Sequence, residues 1–333
     1  IFLGRALFLL EGQLFLKIMG YYLMFSTVKK QMKAFLKKII YLIVVFPYFL
    51  AHGMISFLAL FHNAFSVVEL EYINRFLNTL VKQVNHHIVN GKDIKISLYT
   101  PNSLCEYRAN TFSTKEPETL RWIEEFGDND TILFDIGANI GIYSIYHSLV
   151  NRGRAVAFEP SFFNLKLLVK NININSVQNS IVVVTNPLSS NNGVNNFKYG
   201  NEIEGGALSA FGVDFGYDGK SINSELSVNV IGQSLDSLLE NNLIEENTAY
   251  FIKIDVDGIE HLILSGSINT LSNRNCKSVL VEVNDSFSQQ SSEVRSILEQ
   301  CGFILKNKTH AVMFDDDSHN HSSTYNQIWV REN

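Results

Sequence analysis

The sequence predicts a doubly wound α/β fold, a mostly parallel sheet with helices on both faces and an antiparallel last hairpin. Three observations carry this prediction. Residues 131–160, TILFDIGANIGIYSIYHSLVNRGRAVAFEP, read as strand, glycine loop, apolar-periodic helix and strand. Residues 250–260, YFIKIDVDGIE, repeat the pattern of a buried strand that ends in an acidic residue. Two more apolar strands, Ile304-Leu305 and Gln327 to Val330, flank a polar stretch near the end of the chain, which is a hairpin pattern.

In the first segment Ile132, Leu133 and Phe134 form the strand and Asp135 stands at its end. The loop Gly137-Ala138-Asn139-Ile140-Gly141 follows, and the second strand, Ala155 to Phe158, ends in Glu159, about 20 residues past the first glycine. A strand, a glycine loop, a helix and a strand with a terminal carboxylate is the Rossmann-like arrangement that holds an adenosine ribose. A dinucleotide fingerprint needs G-x-G-x-x-G, so that backbone can approach a pyrophosphate at a helix N-terminus. Here Asn139 replaces the second glycine, and Gly141 falls one place early for the third. The pattern suits a cofactor with a charged amino-acid tail and no phosphate, such as S-adenosylmethionine. Asp135 and the loop residues Gly137, Ala138, Asn139 and Gly141 would face the methionyl part, and Glu159 would accept from both ribose hydroxyls. The plainer reading is a tight turn whose glycines serve geometry alone.

Downstream, a helix over 162–175 carries Leu165, Leu168, Val169 and Ile172 on one face. The strand Ile181 to Val184 ends at Thr185-Asn186, where Asn186 either hydrogen-bonds the adenine amine or opens an Asn-Pro turn. Residues 187–233 are polar and rich in Gly, Asn and Ser, and read as a hairpin excursion that forms part of an acceptor site or a lid. In the second chemical segment Asp255 ends a buried strand, and the carboxyl ends of such strands face the ligand crevice. Asp255 is therefore the first candidate to orient or deprotonate an acceptor. His261 has a suitable ordinary pKa but follows Glu260 into a helix, and Lys253 reads equally well as a structural charge under the sheet. Glu282 ends the next strand, near Asp255 in space. The carboxylates Asp255, Asp257 and Glu282 raise the question of a divalent ion, but carboxylates at strand ends also bind backbone amides, and no metal is expected. Asp315 to His321 reads as an exposed hairpin loop.

These segments together resemble the FkbM-type methyltransferases. The likeness rests on FDIGANIG (134–141), AFEP (157–160), the Asn171 and Asn175 spacing, SLDSLL (234–239), IKIDVDGIEHLILSG (252–266) and LVEV (280–283), with YRANTFSTKEPETLRWI (107–123) as a lead-in. Asp257 stands where that family usually has Glu, and Pro187 interrupts a stretch that is usually Ala-Leu-Ser. The resemblance implies a Class I methyltransferase fold and O-methylation. It also implies acceptors such as sugars of surface polysaccharides or hydroxyls of polyketide-like metabolites. Arg108, Thr111 and Glu116 lie in the family-like lead-in, where they either touch the cofactor tail or close the domain with caps and an ion pair. Two other readings stand beside this one: a nicotinamide-dependent oxidoreductase, and a membrane-associated protein that kept the fold without catalysis.

The net charge of −6 argues against a nucleic-acid partner, which needs a basic face. Cys105, Cys276 and Cys301 lack metal or redox spacing and read as reduced thiols of a cytoplasmic protein. Residues 1–62 are rich in Phe, Leu, Ile and Tyr, have lysines at 29, 30, 33, 37 and 38, and contain Glu11 as their one acid. The stretch 39–61 is long enough to span a bilayer, yet Pro47 would break it and the lysines would send the domain away from the cytosol. Helices on a membrane surface or packed on the protein fit better. Residues 63–126 read as a helix, strand, helix lead-in. An amphipathic helix covers 64–88 and stops at Asn90-Gly91, a strand contains Ile94, Ile96 and Leu98, and a Ser113–Glu116 capping box starts the helix 115–126. Residues 127–333 form the methyltransferase domain.

Overall fold

The fold is a computed structural model that describes residues 78–89, 92–222, 224–240, 244–310 and 323–331, and of the earlier chain residues 35, 39, 46, 47, 49–57, 71, 72 and 75. The chain divides into two compact units, Ile1–Leu77 and Asn78–Asn333. In the first unit the described residues are helical, and over 46–57 the side chains of Phe46, Phe49, Leu50, Met54 and Phe57 are exposed. No helix among the described residues is long and apolar enough to cross a membrane. Most of residues 1–62, and the Asp315 to His321 stretch, lie outside the described residues.

The second unit opens with the antiparallel pair β1 (Val81–Val89) and β2 (Lys92–Tyr99), then helices α1 (Ser103–Thr111) and α2 (Pro117–Phe126). The helix expected over 64–88 is therefore wrong in its last third. Residues 71, 72, 75 and 78 are helical, but Val81–Val89 is a strand. Apolar residues at 81, 84 and 88 mimic helical spacing, and the pairing of Val81 with Tyr99 and of Val84 with Ile96 overrides it. The Ser113–Glu116 capping box is also absent, since Glu116 caps α2 without a side-chain bond and spends its carboxylate elsewhere.

Then come β3 (Ile132–Ile136), α3 (Ile142–Val150), β4 (Arg154–Phe158), α4 (Phe162–Ile174) and β5 (Ile181–Val184). The excursion holds β6 (Gly193–Lys198), β7 (Ala210–Phe211) and β8 (Ser227–Gly232), which form their own small antiparallel sheet. The chain continues with α5 (Leu235–Glu240), β9 (Tyr250–Ile254), α6 (Glu260–Ser265), α7 (Ile268–Ser272), β10 (Cys276–Asn284), α8 (Ser288–Gln300), β11 (Phe303–Thr309) and β12 (Thr324–Arg331).

The main sheet has the order β11-β12-β10-β9-β3-β4-β5. Every neighbouring pair from β10 to β5 is parallel, and β12 runs antiparallel to both β10 and β11. This is the expected doubly wound Class I methyltransferase sheet with an antiparallel last hairpin. Because β3 leads to β4 on one side while β9 lies on the other, a crevice opens above the carboxyl ends of β3 and β9. Strands buried on both faces explain the unbroken apolar runs: Ile132, Phe134, Ile136, Ile252 and Ile254 belong to one core, and Leu133, Phe251 and Leu280 to the other. On α4 the buried face differs from expectation. Leu167, Leu168, Ile172 and the polar Asn164 and Asn171 point inward, while Val169 is exposed.

Of the asparagines on this helix, Asn171 and Asn175 anchor the lead-in. Asn171 Oδ1 accepts from Tyr99 N (2.9 Å), and its Nδ2 donates to Ile140 O (2.9 Å). Asn175 Oδ1 accepts from Ser97 N (2.9 Å), and its Nδ2 donates to Ser97 O (2.8 Å). Side-chain amides at helical spacing thus satisfy an edge that β2 would otherwise leave unpaired. On the other end of the sheet Trp122 Nε1 donates to Ser278 Oγ (2.8 Å), which donates to Trp329 O (2.7 Å), so α2 is pinned to β10 and β12.

Candidate active site

Gly137 ends β3 with φ +82, and a Cβ there would sit 1.9 Å from the carbonyl oxygen of Asp255. Only glycine allows the ends of β3 and β9 to come this close while keeping positive φ. Asn139 also has positive φ, at 51. Two cavities meet around this loop. One is lined by Gly137, Asn139, Phe158, Glu159, Pro160, Asn186 and Phe211, among others, and is a cleft of about 610 Å³ counted with the solvent at its mouth. The other lies toward α1 and is lined by Arg108, Lys115, Glu116, Tyr143, Lys253 and Glu282, among others, with about 1440 Å³. Gly137, Asn139, Ala207, Asp255 and Asp257 border both.

Glu159 is buried, with Oε2 accepting from Asn139 N (2.8 Å) and Oε1 from Ser161 N (2.8 Å). Burial pushes its carboxyl up to about 7, against the pull of those amides. Each oxygen keeps a second lone pair, so the carboxylate remains able to accept from a diol. Asn186 lines the same cavity and gives its Nδ2 to Ile231 O (3.0 Å). Asn139 gives Nδ2 to Gly206 O (2.7 Å), and its Oδ1 is buried without a hydrogen-bond partner among the described residues. An unpartnered buried oxygen on the glycine loop calls for a donor. With an apolar slot of Phe158, Pro160, Leu188 and Phe211 ending at Glu159, these residues fit an adenosyl group followed by an amino-acid tail. Gly137, Ala138 and Asn139 line the cavities, whereas Gly141 (φ +87) shapes the turn into α3, where a Cβ would strike Leu168 Cδ1 at 2.4 Å.

Asp135 lies on the other face of β3 from Phe134 and Ile136, and is wholly buried. Its Oδ2 accepts from Ser144 N (3.1 Å) and Ser144 Oγ (2.7 Å), its Oδ1 has no partner among the described residues, and burial raises its pKa. It lines neither cavity. Asp135 thus ties the start of α3 to the sheet and sends its charge toward Lys253.

Lys253, on the same face of β9, is also buried, with Nζ 2.8 Å from Asp255 Oδ2 and 4.9 Å from the centre of the Tyr143 ring. Burial disfavours its charge, but Asp255, Asp135 and Glu116 together raise its pKa. Glu116 accepts from Tyr143 Oη (2.6 Å) and pairs with Lys115 at 2.5 Å. Burial again opposes ionisation, yet Lys115 and Lys253 hold its carboxyl down at about 2. Glu282 reaches the same cavity from β10, and burial followed by Asp255 and Glu116 raises its pKa well above the ordinary range. Asp257 has positive φ (64), accepts from Leu208 N (2.6 Å), and is pushed up to about 6 by burial and by Asp255.

Of the catalytic candidates, then, Asp255 and Glu282 share one cavity and His261 does not. His261 is packed between Phe215 (6.4 Å between ring centres) and Phe287 (5.9 Å), and burial lowers its pKa. Its predecessor Glu260 accepts from Val256 N (3.1 Å) and Gly258 N (3.1 Å), and shapes the turn that presents Asp255 and Asp257.

Sequence reasoning missed Asn164 and the segment 204–208. Asn164 Oδ1 accepts from Gly205 N (2.9 Å), and its Nδ2 donates to Gly206 O (3.1 Å). Asn102 Nδ2 donates to Glu204 O (2.9 Å), and Arg108 Nε to Gly205 O (2.9 Å). The excursion is thereby strapped across the seam between the cavities. A polar residue in line with Leu168 on the buried face of α4 was the one available signal for Asn164.

Residues 135–305 match the Methyltransferase FkbM domain. Hexuronic acid methyltransferase AglP of Haloferax volcanii is 26% identical over 169 residues, which are 51% of this chain and 62% of that protein, so the match spans less than two thirds of the relative. Among solved structures, precorrin-6y C5,15-methyltransferase of Geobacter metallireducens aligns with TM-score 0.39 and 13% identity over 66% of this chain and 90% of that one. M. capricolum TrmK, solved with S-adenosyl-homocysteine, aligns with TM-score 0.36 and 13% identity over 64% and 67%. The domain match decides between a nicotinamide enzyme and a methyltransferase: the chain belongs to the FkbM methyltransferase family, and its cofactor is S-adenosylmethionine.

Proposed function

We propose that the protein methylates an oxygen of a saccharide acceptor, a hydroxyl in the first instance, in the cavity walled by Asp255, Glu282 and Lys115. The observation that carries this reading is the position of Asp255, which borders both cavities while Lys253 fixes its Oδ2 at 2.8 Å. Oδ1 is left without a hydrogen bond among the described residues, which suits it to accept from an acceptor hydroxyl. When bound, S-adenosylmethionine supplies an electrophilic methyl on a sulfonium. The chain's part is to hold the acceptor oxygen about 3–3.5 Å from that methyl, in line, and to take the hydroxyl proton late in the step. Asp255 does both from one position. Glu282, whose burial favours the protonated form, donates to a second acceptor oxygen and sets the orientation. Asn186 and Glu159 hold the adenosine end, and the strap at Gly205-Gly206 excludes water from the seam.

The hexuronic acid relative supports a sugar acceptor, and the size of the second cavity suits at least one sugar ring. The test is incubation of the full chain with methyl-labelled S-adenosylmethionine and oligosaccharides with and without uronic acids, read by mass spectrometry. Transfer to sugar oxygen, lost in Asp255→Asn, is expected. Alkali then separates a methyl ether from an ester. Methylation of amine acceptors alone would overturn oxygen transfer, and cofactor binding without transfer to any acceptor would favour the inactive alternative. The exposed apolar side chains at 46–57, with the lysines before them, support placement at the cytoplasmic face of a membrane. Flotation of the chain with anionic vesicles, lost on replacing those lysines, checks that part.

A further inference from the structure

The cavity toward α1 contains three cations among the described residues, and two of them are already committed. Lys115 pairs with Glu116 and Lys253 with Asp255. Arg108 forms no ion pair among the described residues, and its one hydrogen bond there runs from Nε to Gly205 O (2.9 Å). Its two Nη groups are therefore uncommitted. The next carbonyl along the strap, Gly206 O, accepts from Asn139 Nδ2 at 2.7 Å. Arg108 and the glycine loop thus grip successive peptides, which puts the guanidinium beside the loop that both cavities share.

The adenosine end of the cofactor belongs with Glu159 and Asn186, so its amino-acid tail must pass Gly137 into the space between β9 and α1. That tail carries an ammonium and a carboxylate. The β9 side presents Asp255 and Asp257, which attract the ammonium and the sulfonium and repel the carboxylate. Glu116, which its neighbouring lysines keep ionised, adds to the repulsion in the same cavity. A carboxylate entering here needs a cation opposite the acidic wall, and a planar guanidinium that keeps its outer nitrogens free matches a carboxylate in two-pronged fashion. We propose that Arg108 binds the methionyl carboxylate of S-adenosylmethionine, with its Nη groups on the cofactor and its Nε on the strap. One side chain would then sense the tail and hold the segment that covers it.

This inference rests on the cofactor reading above, and the experiment keeps the two apart. The full chain, as wild type, Arg108→Met and Arg108→Lys, is titrated by calorimetry with S-adenosylhomocysteine and with 5′-methylthioadenosine, which has the same adenosine and thioether but no amino-acid tail. Circular dichroism and thermal melting check that each variant is folded. The expected result is that Arg108→Met weakens S-adenosylhomocysteine by roughly tenfold or more, the scale of one lost charge-assisted bond, and leaves 5′-methylthioadenosine within twofold. Arg108→Lys should recover part of the loss. Unchanged S-adenosylhomocysteine binding in Arg108→Met would overturn the assignment. Equal loss of both ligands would also overturn it, because Arg108 would then act only through the strap. If the wild type binds 5′-methylthioadenosine but gains nothing from the tail, the assignment fails while the adenosine site stands. If the wild type binds neither, the cofactor reading itself falls.

Discussion

Gly137 and Asp255 touch backbone to backbone: a methyl group on the one would lie 1.9 Å from the carbonyl oxygen of the other. The ends of β3 and β9 are therefore closed down on each other, and both cavities open from this pinch. Gly137→Ala must push the strands apart as well as strain a φ of +82. We expect it to raise the Kd for S-adenosylhomocysteine by at least tenfold and to lower the melting temperature. Calorimetry with wild-type affinity would show that the pinch is not needed for binding.

Lys253 is the buried counter-charge of Asp255, and Asp135 and Glu116 also lie in its field. Removing one partner of a buried pair leaves charges without compensation, at a cost of about 3–5 kcal/mol. Lys253→Met should accordingly lose stability on that scale in urea denaturation. A loss below about 1 kcal/mol would mean the pair is screened by solvent as surface pairs are.

Asn171 lines neither cavity, yet it joins Tyr99 N on β2 to Ile140 O in the glycine loop. Asn171→Ala leaves a buried donor and a buried acceptor unpaired, each worth about 1–3 kcal/mol. The variant should be destabilised to that extent, and its amide exchange in β2 should speed up. If exchange in β2 is unchanged, the lead-in hairpin is held by its apolar face alone.

The buried acids predict an unusual pH response. Burial holds Glu159 and Glu260 at about 7, against 4.5 when unfolded, and Asp257 at about 6, against 3.8. A raised carboxyl pKa means the folded chain keeps protons that the unfolded chain has lost, so stability falls as pH rises through the folded value. His147, held at about 4 instead of 6.5, and His261, also lowered, act in the opposite sense, but only below pH 6.5. Glu116, held at about 2, contributes stability that is lost only in strong acid. Between pH 6.5 and about pH 8 the acids are left to act alone. The urea midpoint of the ligand-free chain should therefore drop over that range, and Glu159→Gln should reduce the drop. A midpoint that climbs from pH 6.5 to 8 would contradict this assignment.

The parts of the fold legible in sequence were those fixed by local pattern. The run from Ile132 to Glu159 carries strand, loop and helix signals in sequence order, and the structure places each where it was read. Asp255 was legible for the same reason, as the polar end of an apolar strand. Long-range pairing was not legible. Val81 to Val89 becomes a strand because Lys92 to Tyr99 lies against it, and its own spacing suits a helix as well. Nor could the strap be read, because Glu204, Gly205 and Gly206 owe their place to Asn102, Arg108, Asn139 and Asn164 on three separate elements. The placement of Asp135 follows from strand alternation once β3 is aligned. Residues one apart in a strand face opposite ways, and Asp135 takes the α3 side.

The order of the main sheet has a further meaning for how the molecule is made. Strand β12 follows β11 in sequence and yet lies between β10 and β11. During vectorial synthesis the ribosome releases β11 first, and that strand has nothing to pair with until residues 324–331 emerge. Until then β10 keeps one bare edge, and the Ser278 hydroxyl that receives Trp122 has no Trp329 carbonyl to bind. The nascent domain therefore waits, open on one side, for β12. A chaperone that shields an unpaired strand edge would find its client in that interval.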